Sequence, residues 1–374
     1  MLALTFLSKL IALLQLLQVY FTNISSFYLY NNLQSEIPAG NLDFIFISQY
    51  FPILPFYYYL YATLSITLFM EKFQLNILGC GSATCTTQHL QTSQVLDIRD
   101  NLFMIDCGEG TQLQMRRMKL KFARLNNIFI SHLHGDHCFG LLGMLSTLAL
   151  LGKTGTMTIH IFKEGAEFFK NALDFFAYDM PFEVKFNVIP NSKAVIYEDD
   201  AITVTTIPLN HRVPTVGFLF REKTKNRHIN REMTDFYNIP IYKLNDIRKG
   251  ADFVTADGKT IANELLTRPA DRSISYAYCS DTKFSKKVIN AVKDVDWLYH
   301  ESTYADDKYL SARKRGHSTA REAATVAHEA GVKHLILGHF SSQYNDNTRF
   351  KTEALEVFHD VTLAKEGLRI DLTK

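Results

Sequence analysis

Residues 126–137 read NNIFISHLHGDH, and this stretch is the most informative part of the chain. Its apolar first half indicates a buried β-strand. Three histidines and one aspartate follow within six residues: His132, His134, Asp136 and His137. They cannot all lie on one face of a strand, so they must leave it on a tight loop, which Gly135 permits. Such imidazole and carboxylate groups are typical ligands of zinc, so the stretch predicts a metal site rather than a turn that is histidine-rich by chance.

Three more candidate ligands follow predicted strands further along the chain. His211 closes AITVTTIPLNH (201–211), Asp281 closes SISYAYCSD (273–281), and His339 closes VKHLILGH (332–339). Sheet scaffolds commonly place functional side chains where a strand gives way to a loop. Alone, each of these residues is more often a loop hydrogen-bonder. Together with the first cluster they supply five histidines and two aspartates, which is enough for two metal ions that share Asp281 and leave positions for water.

A candidate proton donor lies in two short motifs near the end of the chain. HEST (300–303) follows the apolar run VDWLY, and GHST (316–319) opens a predicted helix. A histidine held by a carboxylate is a common proton donor, which makes Glu301 and His317 candidates for that role. The alternative is that His317 caps the backbone at the start of the helix.

Strand-like and helix-like segments alternate through residues 70–374, and no repeat or linker separates them. FQLNILGCGSA (73–83) predicts a strand that enters a glycine-rich turn, and QVLDIRDNLFMIDCG (94–108) predicts two strands around a charged turn. HSTAREAATVAHEAG (317–331) predicts a helix that Ser318 or Thr319 caps and Gly331 ends. This alternation favours one α/β domain with sheets packed inside covering helices.

Composition excludes several classes of protein. The chain has 374 residues, of which 47% are hydrophobic and 21% charged, so disorder, collagen and coiled coil are excluded. A net charge of +2 argues against an indiscriminate polybasic binder of nucleic acid. Five scattered cysteines without a C-x-x-C pair argue against a disulfide framework. They favour a reducing compartment, and we expect a cytoplasmic protein.

Residues 1–69 form an apolar extension with only three charged residues, Lys9, Glu36 and Asp43. A signal peptide would need a cationic start and a small-residue cleavage site, and the sequence shows neither. A membrane anchor is possible, because about 20 apolar residues span a bilayer. We prefer a third interpretation, in which the start was chosen too far upstream and the working protein begins at Met70. A membrane is then a partner only if the extension is a real anchor.

Six motifs in order carry a resemblance to a known family. They are HLHGDH (132–137), HRVPTVGF (211–218), YCSDT (278–282), HEST (300–303), GHST (316–319) and LGHFSSQY (337–344). As a set they resemble the metallo-β-lactamase superfamily and, within it, the ribonuclease Z family. The resemblance implies an αββα sandwich, two Zn²⁺ ions per subunit, a homodimer, and cleavage of precursor tRNA just after the discriminator base.

The resemblance also implies a role for each motif residue. One zinc ion would be held by His132, His134, His211 and Asp281, and the other by Asp136, His137, Asp281 and His339. Asp136 would also stand beside the attacking hydroxide. Glu301 and His317 would form the pair that protonates the leaving 3′ oxygen, so that the tRNA keeps a 3′-hydroxyl and the trailer a 5′-phosphate.

Three other functions remain open at this point. The first is a phosphodiesterase of the same fold that acts on small phosphodiesters. A lactamase is less favoured, because none of the five cysteines occupies a recognisable ligand position. A tRNA-binding protein without catalysis is disfavoured, because no expected ligand is missing.

A basic cluster lies at residues 116–124 (RRMKLKFAR). We prefer to interpret it as a solvated helix face, and the alternative is that it contacts the phosphates of a nucleic acid.

Overall fold

The computed structural model describes residues 72–177 and 179–374. The predicted boundary at Met70 and the apolar extension before it, whether anchor or misplaced start, lie outside the described residues. Within the described ranges, no helix combines the length and the apolar character that a bilayer crossing requires.

The described ranges contain eighteen strands and eleven α-helices. The strands are β1 (Phe73–Gly79), β2 (Ser93–Ile98), β3 (Asn101–Ile105), β4 (Leu125–Phe129), β5 (Thr156–Ile161), β6 (Glu183–Val188), β7 (Val195–Glu198), β8 (Ile202–Pro208), β9 (Val216–Glu222), β10 (His228–Ile229), β11 (Phe253–Val254), β12 (Thr260–Ile261), β13 (Thr267–Arg268), β14 (Ser275–Cys279), β15 (Trp297–Glu301), β16 (His334–Gly338), β17 (Val361–Leu363) and β18 (Arg369–Asp371).

The helices lie mainly between the strands. They are α1 (Thr111–Arg117), α2 (Gly135–Cys138), α3 (Leu141–Leu150), α4 (Lys163–Phe176), α5 (Arg231–Phe236), α6 (Leu244–Arg248), α7 (Asn263–Leu266), α8 (Lys286–Ala291), α9 (Tyr309–Arg315), α10 (Ala320–Glu329) and α11 (Thr348–Leu355).

Fourteen of the strands form two seven-stranded sheets. The first has the order β18-β1-β2-β3-β4-β5-β6, and the second has the order β17-β16-β15-β14-β9-β8-β7. The predicted turn between β2 and β3 consists of Arg99 and Asp100, whose φ angles are 46° and 66°. Two residues with positive φ form the tight hairpin turn that matches the twist of the strands.

Large aromatic side chains fill the space between the two sheets. The ring of Phe129 on β4 lies 5.5 Å from that of Phe218 and 5.4 Å from that of Phe220, both on β9. All three side chains are fully buried, so truncating one to alanine should cost about 3–5 kcal/mol of folding free energy. The sheets are therefore packed face to face by their apolar inner surfaces.

Helices cover the outer face of each sheet. On the first sheet α1, α3 and α4 bury Met115, Met144 and Phe169 against side chains of the strands. On the second sheet α8, α10 and α11 bury apolar side chains in the same way. Helix α10 begins as predicted, with Thr319 as its N-cap in a capping box with Glu322. The expected αββα sandwich is confirmed.

A small insert lies between β9 and β14 in the chain, although these two strands are neighbours in the second sheet. It contains the antiparallel strand pairs β10–β13 and β11–β12, the helices α5 to α7, and a core of Ile247, Ile261 and Leu266. The sequence analysis does not separate this insert, because its elements are only two to six residues long. Such short elements carry no measurable hydrophobic period.

Strand direction explains where the functional residues gather. β14, β15 and β16 are mutually parallel. β8 runs in the same direction, because it is antiparallel to β9, which is antiparallel to β14. In the first sheet β3 and β4 are parallel as well. The carboxyl ends of parallel strands meet at one edge of a sheet, so residues that follow these strands become neighbours.

Candidate metal centre

Seven side chains that the sequence predicts as ligands lie together at one edge of the two sheets. Four come from the loop after β4 and from α2, and the loops after β8, β14 and β16 supply one each. They are His132, His134, Asp136, His137, His211, Asp281 and His339. Gly135 does not need the positive φ that the sequence analysis allowed for, because it begins the short helix α2.

The first group of donors consists of His132, His134, His211 and Asp281. One ligand atom from each lies within 4.8 Å of all the others. His132 Nε2 and His134 Nδ1 are 2.9 Å apart. Asp281 Oδ2 is 3.6 Å from both His132 Nε2 and His211 Nε2. Three imidazole nitrogens and one carboxylate oxygen form a donor set that suits zinc.

The second group consists of Asp136, His137 and His339. Its ligand atoms also lie within 4.8 Å of one another. The Nε2 atoms of His137 and His339 are 3.3 Å apart. Asp136 Oδ2 is 3.7 Å from the first of these nitrogens and 3.8 Å from the second. This group offers two imidazole nitrogens and one carboxylate oxygen. A metal ion bound there could complete its coordination with water.

Asp281 lies between the two groups and faces each with a different oxygen. Its Oδ2 faces the first group, whereas its Oδ1 is 3.0 Å from His339 Nε2 and 3.3 Å from His137 Nε2. The side chain is almost fully buried. One carboxylate can therefore contact two cations at once, as the sharing of Asp281 requires.

Hydrogen bonds to the protein fix which nitrogen of each ring is free. His137 Nδ1–H donates to Asp106 Oδ2 at 2.7 Å, and His339 Nδ1–H donates to Thr303 Oγ1 at 2.8 Å. His211 Nδ1–H donates to the carbonyl of Gly316 at 2.8 Å. In all three rings Nε2 is left as the free acceptor, and such outer partners are typical of metal ligands.

One nitrogen in the site lacks a hydrogen-bond partner among the described residues. His211 Nε2 is buried and accepts no hydrogen bond there, although a buried polar atom without a partner costs about 1–3 kcal/mol. A cation among the four donors of the first group would remove that cost. The residues present therefore fit a metal ion.

The charges of the site favour a bound cation. Burial opposes the charged form of His339, but the carboxylate of Asp281 prevails and raises the pKa of His339 to about 10. Burial also opposes ionisation of Asp136, yet His137 holds the pKa of this carboxyl below its usual range. The buried carboxylates thus create a negative potential that either protons or metal ions neutralise.

Two of the ligands have a strained backbone. Asp281 and His339 have φ angles of 62° and 60°. Asp106, which orients His137, also has a positive φ angle, 57°. Side chains other than glycine seldom adopt this left-handed conformation, which costs about 1–3 kcal/mol each. Such strain is concentrated at functional sites, where the surrounding structure enforces it.

The predicted proton-donor pair lies beside the second group. His317 Nδ1 is 2.9 Å from Glu301 Oε1. Burial works against the charged forms of both, but the pairing raises the pKa of His317 and lowers that of Glu301. Thr303 Oγ1–H donates to Glu301 Oε2 at 2.5 Å, which connects the pair to His339. His317 does not cap the helix, because Thr319 does.

Several residues that orient the ligands escape the sequence analysis. Asp106 is fully buried and accepts hydrogen bonds from Ser131, Tyr278 and His137. Its signal was its place directly after β3, which is parallel to β4. Gly316 has a φ of 88°, and a Cβ there would lie 2.9 Å from His211 Nδ1. The sequence does not indicate this contact, because it depends on tertiary packing.

The basic cluster at residues 116–124 divides in the structure. Arg116 and Arg117 are exposed on α1. Arg124 instead forms ion pairs with Asp97 and Asp100, so it belongs to the packing of the first sheet. Arg116 and Arg117, together with the exposed Lys119 and Lys121, remain available for contact with phosphate.

Comparison with known proteins identifies relatives of this chain. Residues 73–230 match the family described as Anti-Pycsar protein Apyc1. Ribonuclease Z of Parabacteroides distasonis is 52% identical over 304 residues, which is 81% of this chain and 100% of the relative. Ribonuclease Z of Porphyromonas gingivalis is 48% identical over 305 residues, again 81% of this chain and 100% of the relative.

Solved structures support the same fold. Human tRNase Z, short form, superposes with a TM-score of 0.57 at 23% identity, covering 80% of this chain and 99% of that one. The metallo-beta-lactamase fold protein YhfI from Bacillus subtilis gives 0.57 at 18% identity, with 80% and 99% covered. Because curated relatives at about half identity match over their whole length, the chain belongs to the ribonuclease Z family.

Proposed function

We propose that this chain removes the 3′ trailer from precursor tRNA by hydrolysing the phosphodiester bond after the discriminator base. The tRNA keeps a 3′-hydroxyl, and the trailer leaves with a 5′-phosphate. The observation that carries the proposal is the position of Asp281 between two groups of metal donors, with the His317–Glu301 pair beside them. Membership of the ribonuclease Z family supports the choice of RNA as substrate.

The proposed cofactor is a pair of zinc ions. His132, His134, His211 and Asp281 would hold one, and Asp136, His137, Asp281 and His339 would hold the other. When bound, the two ions lower the pKa of a water molecule and neutralise charge on the scissile phosphate. Zinc is chosen because imidazole nitrogen predominates among the donors.

His317 is the proposed donor of the proton that the leaving oxygen needs. Its Nδ1 is held by Glu301, so Nε2 is the nitrogen available to the substrate. The attacking oxygen forms a bond to phosphorus, the P–O3′ bond breaks, and the O3′ atom takes the proton from His317. Glu301 keeps His317 charged before the reaction, since the pair raises the pKa of the imidazole above its usual value.

Asp136 is proposed to act as a ligand and to orient the attacking oxygen. Its Oδ2 accepts a hydrogen bond of 2.7 Å from the backbone N–H of Ala83. This contact holds the oxygen that also faces His137 and His339, at 3.7 Å and 3.8 Å. Asp136 can therefore present its second oxygen to solvent in a constant position.

Cleavage of a defined substrate tests the proposal. The full chain should cut a 3′-extended precursor tRNA at one bond, and chelation of its metals should stop the reaction until zinc is added back. End-group analysis should find a 3′-hydroxyl on the tRNA. The second candidate, a small-molecule phosphodiesterase, is favoured if a chromogenic phosphodiester is turned over with a higher kcat/KM than the precursor. Binding of precursor without cleavage would favour the non-catalytic alternative.

We also propose a homodimer. Three phenylalanines on α4 are strongly exposed, at 60% for Phe168, 78% for Phe175 and 74% for Phe176. Contiguous exposed apolar side chains are typical of interaction surfaces. The double change Phe175→Ser and Phe176→Ser should convert a dimer to a monomer in light scattering, and an unchanged dimer would remove α4 from the interface.

The cytoplasmic location stays a prediction.

A further inference from the structure

A second set of metal-binding side chains lies outside the centre described above. Cys80 follows β1, His89 ends the loop that Cys80 begins, and Glu366 lies in the turn before β18. Cys80 Sγ is 3.5 Å from His89 Nδ1 and 3.6 Å from Glu366 Oε1. His89 Nδ1 is 3.0 Å from Glu366 Oε2. Sulfur, nitrogen and oxygen donors thus form a compact triangle, which we call the Cys80 triad.

The size of this triangle agrees with a tetrahedral zinc site. Zinc bonds to sulfur at about 2.3 Å and to nitrogen or oxygen at about 2.0–2.2 Å, so tetrahedral angles place the ligand atoms about 3.3–3.6 Å apart. The distances from Cys80 Sγ to His89 Nδ1 and to Glu366 Oε1 fall in this range, and His89 Nδ1 lies somewhat closer to the other carboxylate oxygen, Oε2. Little movement is therefore needed to receive a metal ion.

We propose that the Cys80 triad is an additional zinc site, which holds one ion through Cys80 Sγ, His89 Nδ1 and Glu366. The thiolate makes it selective for zinc and similar thiophilic cations over magnesium or calcium. Water fills the fourth position. The site requires neither catalysis nor RNA, so it stands apart from the proposed function.

The surrounding chain holds the triad in place. Cys80 is fully buried, and the backbone N–H groups of Leu90 and Cys80 donate to Glu366 Oε1 at 2.9 Å and 3.3 Å. The side chains of His89 and Glu366 are only 16% and 15% exposed. The three side chains are therefore held in place without a metal ion, and this preorganisation lowers the entropic cost of binding one.

Asn347 provides the outer partner that a histidine ligand needs. Its side-chain Nδ2 lies 2.9 Å from His89 Nε2 and donates to it, while the Nδ1–H of the ring donates to Glu366. The oxygen and nitrogen of an amide are nearly equal in shape, and a half-turn of Asn347 lets its oxygen accept from Nε2–H. His89 Nδ1 then has a free lone pair for the metal, in the arrangement common to metal-ligating histidines.

Binding has a defined proton balance. Burial and the neighbouring Glu366 raise the pKa of the Cys80 thiol, so the metal-free protein keeps the sulfur protonated. In the metal-free protein His89 Nδ1–H donates to Glu366 Oε2. Zinc takes the thiolate and the lone pair of Nδ1, so the thiol proton goes to solvent and the Nδ1 proton moves to Nε2, where the amide oxygen of Asn347 accepts it. Metal uptake at the triad should consequently weaken as the pH falls.

The triad closes a loop that touches the metal centre. Cys80 and His89 are the two ends of this loop, and within it the N–H of Ala83 donates to Asp136. The loop also contributes Thr86 and Gln88 to a polar cavity beside Phe340. An ion at the triad would restrain both ends of the loop, and its role is therefore structural.

Cobalt substitution tests the proposal without measuring activity. Cysteine is absent from the proposed dinuclear ligand set, so Co²⁺ there gives no sulfur-to-metal charge-transfer band. We expect the full chain, stripped of metal and titrated with Co²⁺, to develop this near-ultraviolet band with one equivalent beyond the two of the dinuclear centre. Absence of the band at saturation would overturn the proposal.

Two cysteine variants locate the band. Cys80→Ser should abolish it, whereas Cys85→Ser, which changes the exposed cysteine of the same loop, should keep it. The opposite pattern would show an adventitious surface thiolate and would reject the site.

Glu366→Gln provides a second route if Cys80→Ser does not fold. The band should then need at least about tenfold more cobalt, because removing a ligand should weaken binding no less than removing an outer partner, which costs about 10–100-fold. An unchanged cobalt requirement in Glu366→Gln would contradict the triad.

Discussion

The proposed dinuclear centre and the Cys80 triad contain similar donors, but they differ in how far the protein satisfies those donors by itself. In the triad, His89 and Glu366 already pair with each other. Two backbone N–H groups also donate hydrogen bonds to the Glu366 carboxylate. In the proposed dinuclear centre His211 Nε2 has no hydrogen-bond partner among the described residues. Four imidazole nitrogens, one each from His132, His137, His211 and His339, also lie 3.0–3.6 Å from the carboxylate of Asp281, and these rings cannot all be charged. We therefore expect a bound cation to stabilise the centre more than it stabilises the triad.

The largest effect is expected from Asp281, which serves both groups of the centre. Asp281→Ala should remove a ligand from each ion, and the loss of several kcal/mol of charge stabilisation should lower kcat/KM at least about 1,000-fold. Metal content by mass spectrometry should fall together with cleavage of precursor tRNA.

The exposed carboxylate Asp200 offers a matched control for that change. Asp200→Ala should retain both the metals and the activity. If Asp281→Ala keeps two ions bound at full occupancy, the carboxylate is not shared and the comparison with the triad loses its basis.

Removal of the proton donor should have the next largest effect and should separate chemistry from metal binding. His317→Ala should reduce kcat about 100- to 10,000-fold, the usual contribution of a positioned acid, and leave the metal content unchanged. Single-turnover cleavage of precursor tRNA measures this loss. The exposed His328 on α10 provides the control variant His328→Ala, and turnover equal to the wild type in His317→Ala would remove the donor assignment.

A smaller effect is expected from Asp106, which belongs to neither group of donors but accepts a hydrogen bond from His137. Asp106→Asn keeps the shape and removes the charge, so the affinity for the second ion should fall about 10–100-fold. Activity should then recover at high zinc concentration. Asp97→Asn is the buried control in the same sheet, where the carboxylate pairs with Lys72 and Arg124. It should lower the free energy of unfolding without changing the zinc requirement.

The exposed arginines of α1 should have the smallest effect, and only on RNA binding. Charge reversal by Arg116→Glu and Arg117→Glu should raise the Kd for precursor tRNA. It should also reduce the slope of log K against log salt by about 0.7–0.9 for each phosphate that the variant no longer neutralises. Filter binding over a range of salt concentrations measures both. An unchanged Kd and slope would support the solvated-face interpretation instead.

The sequence indicated the candidate ligands better than it indicated the residues that orient them. His132 to His137 and the residues that close β8, β14 and β16 were recognisable, because ligand types and strand ends are visible in one dimension. Asp106, Thr303 and Gly316 were not, since each acts through a neighbour that is distant in sequence. The left-handed backbone of Asp281 is likewise enforced by packing and has no local signal.

The fold shows the same division. β1 to β4 and α10 follow from alternation, apolar runs and a capping box, all of which are local. The insert between β9 and β14 does not, because a core of three apolar residues stabilises elements that are too short to be predicted separately. The Cys80 triad belongs to this second class, since Glu366 reaches it from 286 positions away in the chain.

Anomalous diffraction at the zinc absorption edge locates bound ions independently of any activity. Crystals of the full chain grown with zinc should show two peaks flanking the Asp281 carboxylate, one facing His132, His134 and His211 and one facing Asp136, His137 and His339. No peak at this position, or a single peak that leaves either group of donors without an ion, would contradict a dinuclear centre that shares Asp281.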